Sequence, residues 1–73
     1  MRAKRRTIEE HDVVRFLEPM QGWPAGTKGA VVATHPEALM VEICDEQGAA
    51  LDFVWAADEL LEVTWSQALQ AAV

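Results

Sequence analysis

Residues 39–55 read LMVEICDEQGAALDFVW and carry the clearest structural signal in the chain. Two segments within it, residues 39–44 and 51–55, alternate apolar side chains with other residues, as half-buried β-strands do. The residues between the two segments are short, polar and glycine-containing, and Gly48 suits the positive φ that a tight hairpin loop requires. The stretch therefore predicts an antiparallel β-hairpin.

The alternation also predicts which side chains of this hairpin face the core. In the first strand the inward set is Leu39, Val41 and Ile43. In the second strand the bulkier set is predicted to point inward, namely Leu51, Phe53 and Trp55. Asp52 and Val54 are then expected on the opposite face of that strand.

Proline and glycine divide the rest of the chain into further short segments. Strands are predicted over residues 12–17, 30–35 and 61–64, and residues 57–60 have the composition of one helical turn. Prolines and glycines are so frequent between residues 18 and 29 that a long loop is predicted after the first strand. This order of elements predicts a mainly β protein, a small five-stranded SH3-like barrel.

The last residues of the chain differ from the strands. Ser66 can serve as the N-cap of a short C-terminal helix. One stripe of that helix would hold Trp65, Leu69 and Val73. The predicted organisation is a flexible basic N-terminus (residues 1–8), an SH3-like β domain (residues 9–64) and a short C-terminal helix or tail (residues 65–73).

Length and charge limit the classes of function. A chain of 73 residues has room for a single domain. Four of its six basic residues lie at positions 2–6, so the rest of the chain has two basic residues against twelve acidic ones, a formal charge of −10. Such a body repels phosphate backbones and attracts basic protein surfaces. Nucleic acid is therefore a disfavoured partner, and a basic protein is a favoured one.

The cysteine content and the hydropathy pattern indicate the compartment. Cys44 is the only cysteine, so neither an internal disulfide nor a cysteine zinc site is expected. The basic N-terminus is followed by acidic residues rather than by the apolar core of a secretory signal, and no segment is apolar enough to span a bilayer. These features predict a soluble, cytoplasmic protein that does not associate with membranes.

Several glycine and valine positions form a recurring pattern. They are Asp12-x-Val14-x-x-Leu17, Gly22-x-x-x-Gly26-x-x-Gly29-x-Val31-Val32, Val41-Glu42-Ile43-x-Asp45-x-x-Gly48 and Leu60-x-x-Val63. Over residues 9–63 this pattern resembles the small bacterial proteins of domain-of-unknown-function family 4926. It is also similar to the SH3-like modules of KOW-type domains and of the nitrile hydratase β-subunit. The resemblance implies an SH3-like fold and adds no catalytic residue.

Residues that could carry catalysis are few and poorly placed. His11 and His35 stand at predicted strand edges beside turns, and Ser66, the only serine, lies outside any nucleophile elbow. Cys44 is followed by two acidic residues, whose charge is expected to raise the pKa of the thiol and so lower its reactivity. We therefore predict a protein that is not an enzyme, with no catalytic residue, cofactor or metal site.

Candidate partner-binding residues lie in the loops and the tail. Trp23, in the long first loop, is either a binding residue or a lid over the open end of the barrel. Trp65 and Leu69 form either a docking element for a partner or a second copy, or a segment that folds back on its own sheet edge. Asp45 and Glu46 belong to the acidic surface that a basic partner would contact.

Three functions are consistent with these features. The leading hypothesis is a non-catalytic protein-interaction module, the acidic partner of a basic protein, such as an antitoxin, an immunity protein or an accessory factor. One alternative is a KOW-like RNA- or ribosome-binding module, which the basic N-terminus favours and the acidic body opposes. The other is an accessory or subunit domain of a larger metalloenzyme, which rests on fold analogy.

Overall fold

The computed structural model describes residues 8–66, which form one five-stranded antiparallel sheet. Its strands are β1 (Val13–Phe16), β2 (Lys28–His35), β3 (Ala38–Cys44), β4 (Ala50–Ala56) and β5 (Leu61–Trp65). The strand order across the sheet is β4-β3-β2-β1-β5, so β4 and β5 are its two edges. The mainly β class and the five predicted strands are confirmed, whereas the predicted C-terminal helix falls outside the described residues.

The hairpin between β3 and β4 forms as the sequence predicts. Gly48 has a φ of 89°, which costs a glycine little because it has no Cβ. The carboxylate of Asp45 accepts hydrogen bonds from the backbone N–H groups of Gln47 and Ala49, at 2.8 and 2.9 Å. A side-chain oxygen thus holds the turn and sets the register of the two strands.

The long loop between β1 and β2 contains a tight turn that presents Trp23. Met20 and Trp23 exchange both backbone hydrogen bonds, at 2.8 and 2.9 Å. The two residues between them, Gln21 and Gly22, both have positive φ, as in a type I′ turn. This geometry fixes the position of the indole instead of leaving it on an open loop.

A second turn returns the loop to the sheet. Thr27 donates its backbone N–H to the carbonyl oxygen of Pro24 at 3.2 Å, and Gly26 has a φ of 90°, as in a type II turn. Gly26 and Thr27 then exchange 2.8 Å backbone hydrogen bonds with Phe16 at the end of β1. The loop is therefore tied to the sheet at its far end.

The core lies on one face of the sheet and is built mainly of medium-sized side chains. Val31, Val41 and Val54 are register partners across β2, β3 and β4, and all three are fully buried. Phe16 is the largest side chain in the described residues that is fully buried. The predicted inward set of β3, which includes Leu39 and Ile43, is buried and so confirmed.

The prediction for β4 is wrong, because the strand buries the face opposite to the predicted one. Its bulky side chains are half exposed: Leu51 is 55% exposed, Phe53 52% and Trp55 47%. Val54 and Ala56 are buried in their place. The pairing of Val54 with Val41 explains this orientation, because the small residues of β4 complete the valine row, while the large ones cannot occupy a core already filled by Phe16.

Candidate protein-binding face

Because β4 buries its smaller side chains, its large apolar side chains form an exposed surface on the sheet. It consists of Leu51, Phe53 and Trp55 of β4 together with Met40 of β3, the register partner of Trp55. We call these four residues the outer face. Leu51 lies where the β3–β4 register shifts, between the pairs Ile43 with Asp52 and Cys44 with Ala50. Contiguous exposed apolar side chains of this kind mark interaction surfaces more often than isolated ones do.

Contacts from neighbouring elements hold Trp55 in place. Its ring meets that of His35, at the end of β2, in an edge-to-face arrangement with centroids 6.3 Å apart and an interplanar angle of 79°. The side-chain amide of Gln21 donates to the carbonyl oxygen of Trp55 at 3.1 Å. The ring contact orients the indole and the Gln21 bond holds the backbone of Trp55, and such fixed geometry preorganises a surface for binding.

Side chains of the same chain bond two backbone groups on the free edge of β4, the N–H of Phe53 and the carbonyl oxygen of Trp55. The carboxylate of Asp52 accepts a hydrogen bond from the indole Nε1 of Trp23 and another from the backbone N–H of Phe53, each at 2.8 Å. Together with the bond from Gln21 to Trp55, these contacts satisfy backbone groups that an edge strand would otherwise present to another strand.

Carboxylates border the outer face. Glu42 of β3 is the register partner of Phe53, and Asp45 and Glu46 are exposed in the hairpin beyond Leu51. Residues 8–66 contain all twelve acidic residues of the chain and two basic ones. One of these, Arg15 on β1, forms an ion pair with Glu62 on β5. The outer face therefore lies in a field of negative potential.

The same carboxylates act on Cys44, which is exposed at the end of β3. Desolvation raises the pKa of the Cys44 thiol, and the charges of Glu42 and Asp45 and a hydrogen bond to Glu42 raise it further. The expected direction of the shift in the thiol pKa is confirmed, but its first cause is desolvation, and Glu42 contributes where Glu46 had been expected. At neutral pH the protonated form prevails, and the protonated form is neither nucleophilic nor a metal ligand.

The structure places the predicted binding residues in different surroundings. Trp23 is half-buried, packs against the core and has its indole N–H bonded to Asp52. Trp65 is 41% exposed at the end of β5, on the opposite edge strand from β4. Asp45 and Glu46 lie beside the outer face, and Leu69 lies outside the described residues.

Sequence reasoning missed the outer face because both alternating sets of β4 contain apolar residues. Because the side chains of Phe53 and Trp55 are larger, their set was predicted to face the core. The signal that could have located the face is the composition of the partner strand, since Val41 faces the core and a valine row continues most simply through Val54.

A surface groove lies at the β2–β3 turn. It has a volume of about 640 Å³, and its lining includes Ile8, Glu9, Glu10, His35, Glu37 and Asp58. In the part of the chain that the structure describes, no three His, Cys, Asp or Glu side chains come together as metal ligands do. The groove is open and acidic, and it is distinct from the outer face.

Comparisons of the chain with protein-family models, curated proteins and solved structures found no match. The resemblance to family 4926 stays a prediction. Helical structure in residues 8–66 consists of one 3-10 turn at Asp58–Leu60, and no helix there is long and apolar enough to cross a membrane.

Proposed function

We propose that this protein is a non-catalytic interaction module that binds another protein through the outer face. The observation that carries the proposal is the exposure of three large apolar side chains, Leu51, Phe53 and Trp55, side by side on one strand. Exposing them to water is unfavourable, and a partner that covers them recovers the hydrophobic free energy. Aromatic side chains in the centre of such a patch typically supply most of the binding energy.

The charge around the outer face indicates the partner's chemistry. Glu42, Asp45 and Glu46 border the apolar residues, so a partner with basic side chains around an apolar centre is complementary. The proposal thus keeps the hypothesis of an acidic member of a protein pair, such as an antitoxin, immunity protein or accessory factor. It moves the binding surface from Trp23 and the tail to β4.

We also propose that the sheet curls into an SH3-like barrel. The strand order β4-β3-β2-β1-β5, the long loop after β1 and the 3-10 turn before β5 all support this arrangement. In such a barrel the outer face lies on the outside wall, where a partner can reach it without opening the core.

Affinity capture from the source cells, with the full chain as bait, tests the proposed function. The double variant Phe53→Thr/Trp55→Thr is compared with the intact protein, and Trp65→Thr is the matched control because it removes an exposed tryptophan from the other edge of the sheet. We expect a captured protein that the double variant loses and the control retains. If only Trp65→Thr fails to capture the protein, the interface lies at β5. Equal capture by the intact protein, the double variant and the control would refute the proposal.

A further inference from the structure

We infer that the part of the partner that covers the outer face is a basic amphipathic helix lying along β4, with its N-terminal end over the Asp45–Glu46 hairpin. This inference rests on the proposed function and names the element that binds. It follows from three features of the described residues: the two bonded backbone groups on the edge of β4, the spacing of the apolar side chains and the position of the carboxylates.

Two bonds on the edge of β4 disfavour binding by addition of a strand. Strand addition requires free N–H and C=O groups along the edge. Here the N–H of Phe53 is bonded to Asp52, and the carbonyl oxygen of Trp55 is bonded to Gln21. A partner strand would have to displace both side chains, and displacing Asp52 would also break its bond to Trp23. The side-chain face, unlike the edge, is available.

The spacing of the outer face matches one stripe of a helix. Alternate residues of a strand are about 6.6 Å apart, so Leu51, Phe53 and Trp55 span roughly 13 Å. Residues four apart in an α-helix are about 6 Å apart along its axis. Apolar residues at positions i, i+4 and i+8 of a helix can therefore each meet one of the three side chains over a little more than two turns.

The position of the carboxylates sets the helix composition and direction. Glu42 lies beside Phe53, halfway along the face, so basic residues flanking the apolar stripe would meet it. Asp45 and Glu46 lie beyond the Leu51 end, where their negative charge favours the positive end of a helix dipole, which is the N-terminus. Basic flanks and this direction together give the most complementary arrangement.

Two occupants from the same protein fit less well. The C-terminal residues 67–73 read QALQAAV and contain no basic residue, so they leave Glu42 and the hairpin carboxylates without a counter-charge. A second copy of the chain would bring together two chains that each have a formal charge of −6. A basic helix from another protein meets both the apolar and the charge requirement.

Peptide binding to the full chain tests the inference. The probe is a labelled peptide of about 15 residues made of Leu, Lys and Ala, with the leucines at i, i+4 and i+8 and lysines on both flanks. One matched peptide has the same composition with leucines at alternate positions, and another has Glu in place of every Lys. Fluorescence anisotropy reports affinity, and circular dichroism reports helix formation on binding.

We expect the helical lysine peptide to bind and to gain helicity, and both matched peptides to bind at least about tenfold more weakly. Phe53→Thr should weaken binding by a similar factor, Glu42→Gln by roughly threefold at low salt, and Trp65→Thr by less than twofold. Equal binding by the alternating peptide, or an affinity that Phe53→Thr leaves unchanged, would overturn the inference.

The two experiments separate the inference from the proposed function. If cellular capture depends on Phe53 and Trp55 while the helical peptide fails to bind, the outer face is an interface but its occupant is not a helix. If neither capture nor peptide binding depends on these residues, the proposed function fails with the inference. A concentration-dependent dimer lost in Phe53→Thr, measured by analytical ultracentrifugation, would identify a second copy as the occupant and would also overturn the inference.

Discussion

The indole Nε1 of Trp23 donates a 2.8 Å hydrogen bond to the carboxylate of Asp52, and this bond joins the long β1–β2 loop to the edge strand β4. The two residues are 29 positions apart in the chain. Asp52 also accepts a hydrogen bond from the backbone N–H of Phe53, so one carboxylate satisfies a backbone group of the edge strand and anchors the loop. Neither residue type alone predicts this pairing, because it depends on which way β4 faces.

A double-mutant cycle measures this bond. Trp23→Phe and Asp52→Ala should be coupled by about 1–2 kcal/mol in the free energy of unfolding, because the acceptor is charged and the pair is partly buried. Urea unfolding of the two single variants and the double variant gives the coupling. The control pair, Gln21→Ala with Asp52→Ala, shares no hydrogen bond and should be close to additive. Additive energies for Trp23 and Asp52 would contradict the pairing.

The orientation of β4 predicts unequal costs for neighbouring substitutions. Phe53→Thr should lower the free energy of unfolding by about 1 kcal/mol or less, because the ring is half exposed and threonine suits a strand. Val54→Ala should cost about 2 kcal/mol, because it removes two methyl groups from a fully buried position. Thermal or urea unfolding compares the two. A cost of 3–5 kcal/mol for Phe53→Thr, as for a core aromatic, would show that the strand faces the other way.

Close approach of β2 to β3 makes Gly29 sensitive to substitution. A Cβ at Gly29 would lie 2.5 Å from the Cγ1 of Val41 and 2.7 Å from the carbonyl oxygen of Glu42. Because the second contact is backbone, Gly29→Ala should destabilise the protein by about 1–3 kcal/mol. The matched control is Gly48→Asn, in open space at positive φ, a conformation that asparagine tolerates. Denaturant unfolding should show a clearly smaller loss for the control, and equal losses would refute the steric explanation.

The raised thiol pKa predicts slow alkylation of Cys44. Because desolvation and the charges of Glu42 and Asp45 favour the protonated form, the thiol should lose its proton only above its ordinary pKa. Iodoacetamide should therefore react more slowly than with an unstructured cysteine peptide near neutral pH, and the two rates should converge as the pH rises.

A variant pair identifies the source of this shift. Glu42→Gln removes the charge that raises the thiol pKa and replaces a charged hydrogen-bond acceptor with a neutral one, so alkylation at pH near 7.5 should become roughly a few-fold faster. Glu46→Gln removes the same charge from a residue that does not contribute to the shift, and it should leave the rate almost unchanged. Equal acceleration by both would indicate that net charge, rather than these local contacts, controls the thiol.

Much of the fold follows from local sequence signals. Gly48 and Asp45 predict the β3–β4 turn because positive φ and a side-chain acceptor are properties of those residue types. The strand segments and the 3-10 turn are found within a few residues of their predicted bounds, because proline, glycine and β-branched residues act on the backbone over short distances. The candidate site could not be predicted from local signals, because Leu51, Phe53 and Trp55 were predicted to be buried in the core.

The strands, their turns and the acidic character of the body are therefore encoded locally, because they depend on residue type and near neighbours. Which face of β4 is buried depends on packing between strands, because period-two alternation offers two faces and the choice between them depends on the side chains packed opposite. The valine row through Val31, Val41 and Val54 fills the core with small side chains. Leu51, Phe53 and Trp55 consequently point outward, and the surface that they form is the candidate site.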